Sequence, residues 1–197
     1  MNLPNKLTVS RFLLTIAFVA VIYSTLPFHE TMALALFVVA SITDYYDGMI
    51  ARRDKLITNF GILMDPLVDK ILVCSAFIAF VGRGWLPAWM AVIIVARELA
   101  VTGLRLLAAS RTVVLSAEAL GKHKTTMQIV AIISTLIRGS YMQWGEGGSM
   151  VFGHPIMGRP WVDLFTIVAQ WLAVFLTLLS GAQYLWRNRH LYMQDVG

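Results

Sequence analysis

Residues 44–70, DYYDGMIARRDKLITNFGILMDPLVDK, hold five of the chain's 11 acidic side chains. Asp44, Asp47, Asp65 and Asp69 fall inside or against apolar segments, and Asp54 lies in the charged run between them. Asp44, Asp47, Gly48 and Ala51 stand at i, i+3, i+4 and i+7, one face of a helix. Gly61, Asp65 and Asp69 stand at i, i+4 and i+8, one face of the next helix. Two antiparallel helices can aim both faces at one spot. Carboxylates gathered there repel one another, and a single charge at mid-membrane costs about 2.5–3.5 kcal/mol even on the mildest scale. Hard divalent cations with oxygen ligands resolve the conflict. Mg²⁺ binds through one or two carboxylates plus substrate phosphates, and two metals sharing such a set can bridge a substrate oxygen. Gly48 and Ala51 have almost no side chain, so a bulky ligand such as a nucleotide diphosphate can approach the helix backbone. Arg52 follows at the membrane surface, placed for a phosphate. Two other readings compete. In one, the aspartates are paired with Lys70 and Arg52, which are too few to neutralise them. In the other, they line the proton or cation pathway of a transporter.

The elements that must position these residues are transmembrane helices. The 197-residue chain is 58% hydrophobic and 14% charged, well below the charged share of a soluble domain, and its mean hydropathy is +0.70. Six apolar runs, 12–28, 31–52, 60–82, 86–109, 122–142 and 161–186, are long enough to span a bilayer. They predict an all-α integral membrane protein: one domain over residues 1–197, with a short amphipathic segment before span one. MNLPNKLTVSR does not have the pattern of a signal peptide, and no small-residue cleavage site follows the first apolar run, which ends in YSTLPFHE, so that span is expected to be retained. Lys6, Arg11, Arg52, Arg53, Lys55, Arg105, Arg111, Lys122, Lys124, Arg187 and Arg189 fall on one set of connections, whereas Arg83, Arg138 and Arg159 fall on the other. The positive-inside rule then places both termini in the cytoplasm. It also places the aspartates beneath the inner interface, since Asp44 precedes Arg52 by eight residues, roughly 12 Å of helix. Basic side chains confined to membrane-proximal turns suit anionic headgroups or phosphorylated substrates and argue against a nucleic-acid partner. Cys74 is the only cysteine, which excludes an intrachain disulfide. The glycine-rich stretch 143–160 reads as a flexible external loop.

The pattern Asp44-x2-Asp47-Gly48-x2-Ala51-Arg52-x8-Gly61-x3-Asp65-x3-Asp69 matches every fixed position of the CDP-alcohol phosphotransferase signature. The chain resembles members of that family, which share six transmembrane helices, form homodimers and need Mg²⁺ or Mn²⁺. They move a phosphatidyl or similar group from a CDP-linked donor to an alcohol and release CMP. NLPNKLTVSR, ARRDKLITNFGILMDPLVDK, ARELAVTGLR and GKHKTTMQ, covering most of residues 2–130, are similar to one branch, the bacterial phosphatidylglycerophosphate synthases; the last two spans carry no such motif.

The resemblance implies an enzyme of the bacterial cytoplasmic (inner) membrane, multi-pass, its active site facing the cytoplasm. Its substrates would be CDP-diacylglycerol and sn-glycerol-3-phosphate, with CMP as product and membrane lipids around it. Asp44, Asp47 and Asp65, with Asp69 close by, would hold two divalent cations that grip the donor's diphosphate. Asp44, Gly48, Ala51, Arg52 and Gly61 would line the CDP-diacylglycerol site. Asp69 would be the general base that takes the acceptor hydroxyl's proton. The acceptor's own phosphate calls for a cationic pocket, for which Arg105, Lys122 and Lys124 are the candidates. Arg111 fits better as an anchor on lipid headgroups. Arg97 and Glu98 both lie within span four; Glu98, with Thr102 and Arg105 at i+4 and i+7, would orient Arg105 or another basic group of that pocket, or belong to a purely structural intramembrane ion pair. Another acceptor (inositol phosphate, serine or phosphatidylglycerol) and a cation transporter remain the alternatives.

Overall fold

The structure, a computed structural model, describes the backbone of residues 3–54, 59–110 and 119–193, with side chains over 9–43, 70–109 and 121–193. Among the described residues the fold is all-α apart from one hairpin of two two-residue strands. Six long helices follow the six apolar runs: α1 Leu3–Ile22, α2 His29–Asp54, α3 Asn59–Gly82, α4 Ala88–Ser110, α5 Ala119–Ser140 and, after a short α6 at Gly145–Phe152, α7 Trp161–Arg187. A single turn, α8, closes the described chain at His190–Met193.

Local chemistry sets the helix ends. The amphipathic segment and span one form a single helix, with Pro4 in its first turn, where the missing N–H costs nothing. That helix stops at Ile22, short of the end of the apolar run. Ser24 turns back on the Val21 carbonyl through both its backbone N–H (3.0 Å) and its hydroxyl (2.8 Å), and Pro27 follows. Gly84, at φ 69°, lets the chain turn between α3 and α4, a conformation that costs a residue with a side chain.

α1 packs on α2 and α3, and α7 packs on α5 and α4. Phe18, Phe37, Phe77, Phe80, Ile94, Ile132 and Leu136 are fully buried between them. Polar groups stitch α5 to α7 along its length. Gln128 donates to Thr177 Oγ1 (3.1 Å), Gln170 to Thr135 Oγ1 (3.1 Å), Thr166 to the Ser134 carbonyl (3.1 Å) and Arg138 to Asp163 (3.0 Å). Asp163 and Gln170 thus serve packing within one chain. Such interhelical bonds contribute about 0.6 kcal/mol each in a membrane. The outward faces stay apolar: Leu13, Ile42, Val92, Leu99, Trp171 and Phe175 are all exposed. Among the described residues, only α7 is both long and apolar enough to cross a membrane on composition alone.

The connection after α5 is folded, contrary to the expectation of a flexible loop. It forms a 3₁₀ turn at Tyr141–Trp144, then α6, then the hairpin β1 Pro155–Ile156 and β2 Arg159–Pro160, with Pro155 opposite Pro160. A series of ring contacts ties it to the start of α7: Trp144 edge-on to Phe152 (5.6 Å), Phe152 stacked on Trp161 (5.8 Å) and Trp161 edge-on to Phe165 (6.1 Å). Glu30 clamps this end to the α2 and α3 turns, accepting from Arg83 (2.5 Å) and from Gln143 (2.5 Å). Gly139 lies against Trp85, whose Cη2 would sit 2.6 Å from an added Cβ. Trp85 also packs against Phe80 (5.9 Å) and the Arg83 guanidinium (5.0 Å), contacts it would lose by moving aside. Gly139→Leu is therefore expected to destabilise the fold by about 1–3 kcal/mol, read as a lower midpoint of thermal unfolding in detergent.

Candidate active site

The positions of Asp44, Asp47, Gly48, Ala51 and Arg52 all lie on α2, which runs unbroken to Asp54. Those of Gly61, Asp65 and Asp69 lie on the first half of α3. Continuous helix over both stretches keeps each set in its helical register, α2 leading into α3 at the same end of the bundle. The side chains of these eight residues lie outside the described residues, as does Arg111. Among the described residues, no three His, Cys, Asp or Glu side chains gather to hold a metal.

Over residues 70–109 and 121–193 the side chains are described, and a second constellation appears. Glu98 on α4 is 1% exposed. Lys124 on α5, 2% exposed, donates to its Oε1. Lys70 on α3 reaches the other oxygen, Oε2, at 3.0 Å. Gln128, one turn beyond Lys124, donates to Oε1 at 3.4 Å and to Thr177 on α7. Arg97 Nη1 lies 3.6 Å from Oε1 and its Nη2 donates to Ser180 (3.2 Å). Close approach of α7 at Gly181 makes room for Arg97, since a Cβ there would meet its Cγ at 2.8 Å. These contacts surround a cavity of about 160 Å³ lined by Arg11, Ser41, Lys70, Glu98, Lys124 and Thr125. Five helices, α1 to α5, contribute to its wall.

The three basic residues proposed from sequence for one pocket separate here. Lys124 is buried at the cavity. Lys122, two residues earlier, is exposed on the first turn of α5. Arg105 is exposed on α4, where it donates to the Tyr184 hydroxyl (3.2 Å) and lies over the Tyr184 ring (5.5 Å). Glu98 therefore orients Lys124 and Lys70, and Arg105 goes to an aromatic partner on α7. Lys70, Arg11 and Gln128 at the cavity escape sequence reasoning. The available signal is that Gln128 follows Lys124 by four residues within an apolar run, which puts two polar groups on one helical face.

The profile of the CDP-alcohol phosphatidyltransferase family matches residues 1–179. The chain belongs to this family. The matched region takes in both aspartate helices, the Glu98 cluster and most of α7. Among curated relatives in it, a CDP-diacylglycerol–glycerol-3-phosphate 3-phosphatidyltransferase of Bacillus subtilis (strain 168) is 37% identical, the alignment covering 95% of each chain. A protein of the same name from Rickettsia bellii is 34% identical over 93% of each. A probable phosphatidylglycerophosphate synthase of Mycobacterium tuberculosis is 35% identical over all of this chain and 84% of its own length.

Proposed function

We propose that this member of the CDP-alcohol phosphatidyltransferase family transfers the phosphatidyl group of CDP-diacylglycerol to sn-glycerol-3-phosphate, giving phosphatidylglycerophosphate and CMP. The observation that carries the reading is end-to-end likeness to relatives named for that reaction, 37% identity over 95% of both chains in one case.

The donor site is assigned to the α2–α3 end. The donor set there, four carboxylates without sulfur or imidazole, fits hard divalent cations such as Mg²⁺ or Mn²⁺. Asp44, Asp47, Asp65 and Asp69 would hold two of them. Cations held there would supply positive charge for the donor's diphosphate and for the charge that develops on departing CMP. Gly48 and Ala51 leave space for the cytidine diphosphate along α2, Gly61 does the same on α3, and Arg52 meets a phosphate at the interface. Asp69 takes the proton of the acceptor hydroxyl as its oxygen attacks the phosphorus that carries the diacylglycerol group.

The acceptor's phosphate is assigned to the cavity walled by Lys70, Lys124 and Arg11. Lys70 directly follows Asp69 on α3. The acceptor assignment thus puts its phosphate at the helix that carries the proposed base. This is catalysis by positioning. Lys122 and Arg105, both exposed and away from the cavity wall, would add positive charge that draws the anion toward this end of the bundle.

Six helices of 20 to 27 residues, with apolar outward faces, support a single membrane domain of six spans. The lysine and arginine bias then sets both termini and the site on the cytoplasmic side of the bacterial inner membrane, among anionic lipids. A homodimer is the expected assembly. With the purified protein in detergent, CDP-diacylglycerol and Mg²⁺, label from glycerol-3-phosphate should pass into a lipid-extractable product, and chelation of the metal should stop it. Transfer that persists without divalent cations would overturn the assignment of the aspartates.

A further inference from the structure

A carboxylate in the middle of a bundle is retained at a cost unless its partners use it. Glu98 is shared in a particular way. Its two oxygens are divided between two lysines from different helices, Lys124 at Oε1 and Lys70 at Oε2 (3.0 Å). Among the described residues, this one carboxylate meets two ammoniums and, at 3.6 Å, the Arg97 guanidinium, where a purely structural pair would balance one to one. Its orientation is fixed from a third side, because Gln128 bridges Oε1 to Thr177 on α7. Lys124 is sealed in, at 2% exposure, whereas the Lys70 side chain is 34% exposed and reachable by a solute. Ser41 and Thr125 add hydroxyls to the same wall.

We infer that Glu98 is a positioning residue for the acceptor: by dividing its oxygens between Lys70 and Lys124 it holds both ammoniums at the wall of one cavity, where a phosphate monoester can meet them. The inference rests on the assignment of this cavity to the acceptor. Lysine stems are long and flexible, so two of them make a selective anion site only when something holds their ends. Glu98 does that without touching the substrate's reacting atoms. The same cavity could in principle take a phosphate of the donor, and the two sources separate kinetically.

The test is initial-rate CMP release with each substrate varied in turn, on wild type, Glu98→Gln, Lys124→Gln and the double variant. Glu98→Gln should raise the KM for glycerol-3-phosphate about tenfold or more, the usual scale of a charge-assisted contact. The KM for CDP-diacylglycerol should stay within about twofold, and competitive inhibition by inorganic phosphate should weaken in step. The double variant removes both members of the buried pair, so it is the one most able to fold. Its acceptor KM should exceed that of Lys124→Gln, because Lys70 is released as well, but fall short of the product of the two single effects, because Glu98 then has no Lys124 to place. Equal shifts in both KM values, a fall in kcat alone, or effects that multiply in the double variant would each overturn the inference. Wild type that uses a different acceptor in place of glycerol-3-phosphate would overturn the parent reading. Wild type active with glycerol-3-phosphate beside a Glu98→Gln variant of unchanged acceptor KM would overturn this one alone.

Discussion

Asp69→Asn is expected to stop turnover while sparing metal-dependent binding of CDP-diacylglycerol. Loss of a positioned general base costs about 10²–10⁴ in rate, and an amide cannot take the acceptor's proton at neutral pH. Three carboxylates, Asp44, Asp47 and Asp65, remain to hold cations and the diphosphate, so donor affinity should persist. Asp65→Asn provides the contrast, since it removes a ligand without removing the base and should weaken donor binding itself. Equilibrium binding of CDP-diacylglycerol with and without Mg²⁺, beside CMP release, separates the two. Full activity in Asp69→Asn would remove this residue as the base. A free aspartate, with a pKa near 3.9, is a weak base, so a hydroxyl polarised by neighbouring positive charge is part of the same expectation.

The second large effect is at Lys124. Lys124→Ala should raise the acceptor KM by about tenfold to a hundredfold and leave the donor KM nearly unchanged. It should also lower stability by about 3 kcal/mol, because a carboxylate that is 1% exposed loses its closest counter-charge. Lys122→Ala, two residues away on an exposed turn, should change the acceptor KM by less than about threefold and stability hardly at all. Equal effects of Lys124→Ala on both substrates would place Lys124 outside the acceptor pocket. Comparable effects at Lys122 and Lys124 would mean that burial at the cavity does not set their roles.

The six helices and the register of the aspartates are legible in the sequence because both are local. A hydrophobic run announces a helix by its length, and carboxylates at i, i+3 and i, i+4 share a face wherever that helix lies. The end of α1 is less legible, because Ser24 capping on Val21 halts the helix inside a run that composition would continue. The connection after α5 is harder still. Its order comes from rings at residues 144, 152, 161 and 165, and from Glu30 and Arg83 on other helices, while its many glycines suggest freedom. The acceptor pocket shows the same limit. Glu98 shares a helical face with Arg105, which makes Arg105 the natural partner in one dimension. In the fold, Glu98 turns to α3 and α5, and Arg105 settles on Tyr184. Arg11 and Lys70 read as interfacial flanks or as counter-ions for the aspartates until five helices bring them to one cavity.

The central claim is the reaction and its acceptor. The most direct measurement is CMP release by the purified protein in detergent with CDP-diacylglycerol and Mg²⁺, run in parallel with glycerol-3-phosphate, inositol phosphate, serine, phosphatidylglycerol and no acceptor. Release that depends on glycerol-3-phosphate alone is the predicted result. Release with another of these acceptors instead would contradict the acceptor assignment and leave the family chemistry standing. No release with any of them, from folded protein, would contradict the enzyme reading and turn attention to the aspartates as a cation pathway.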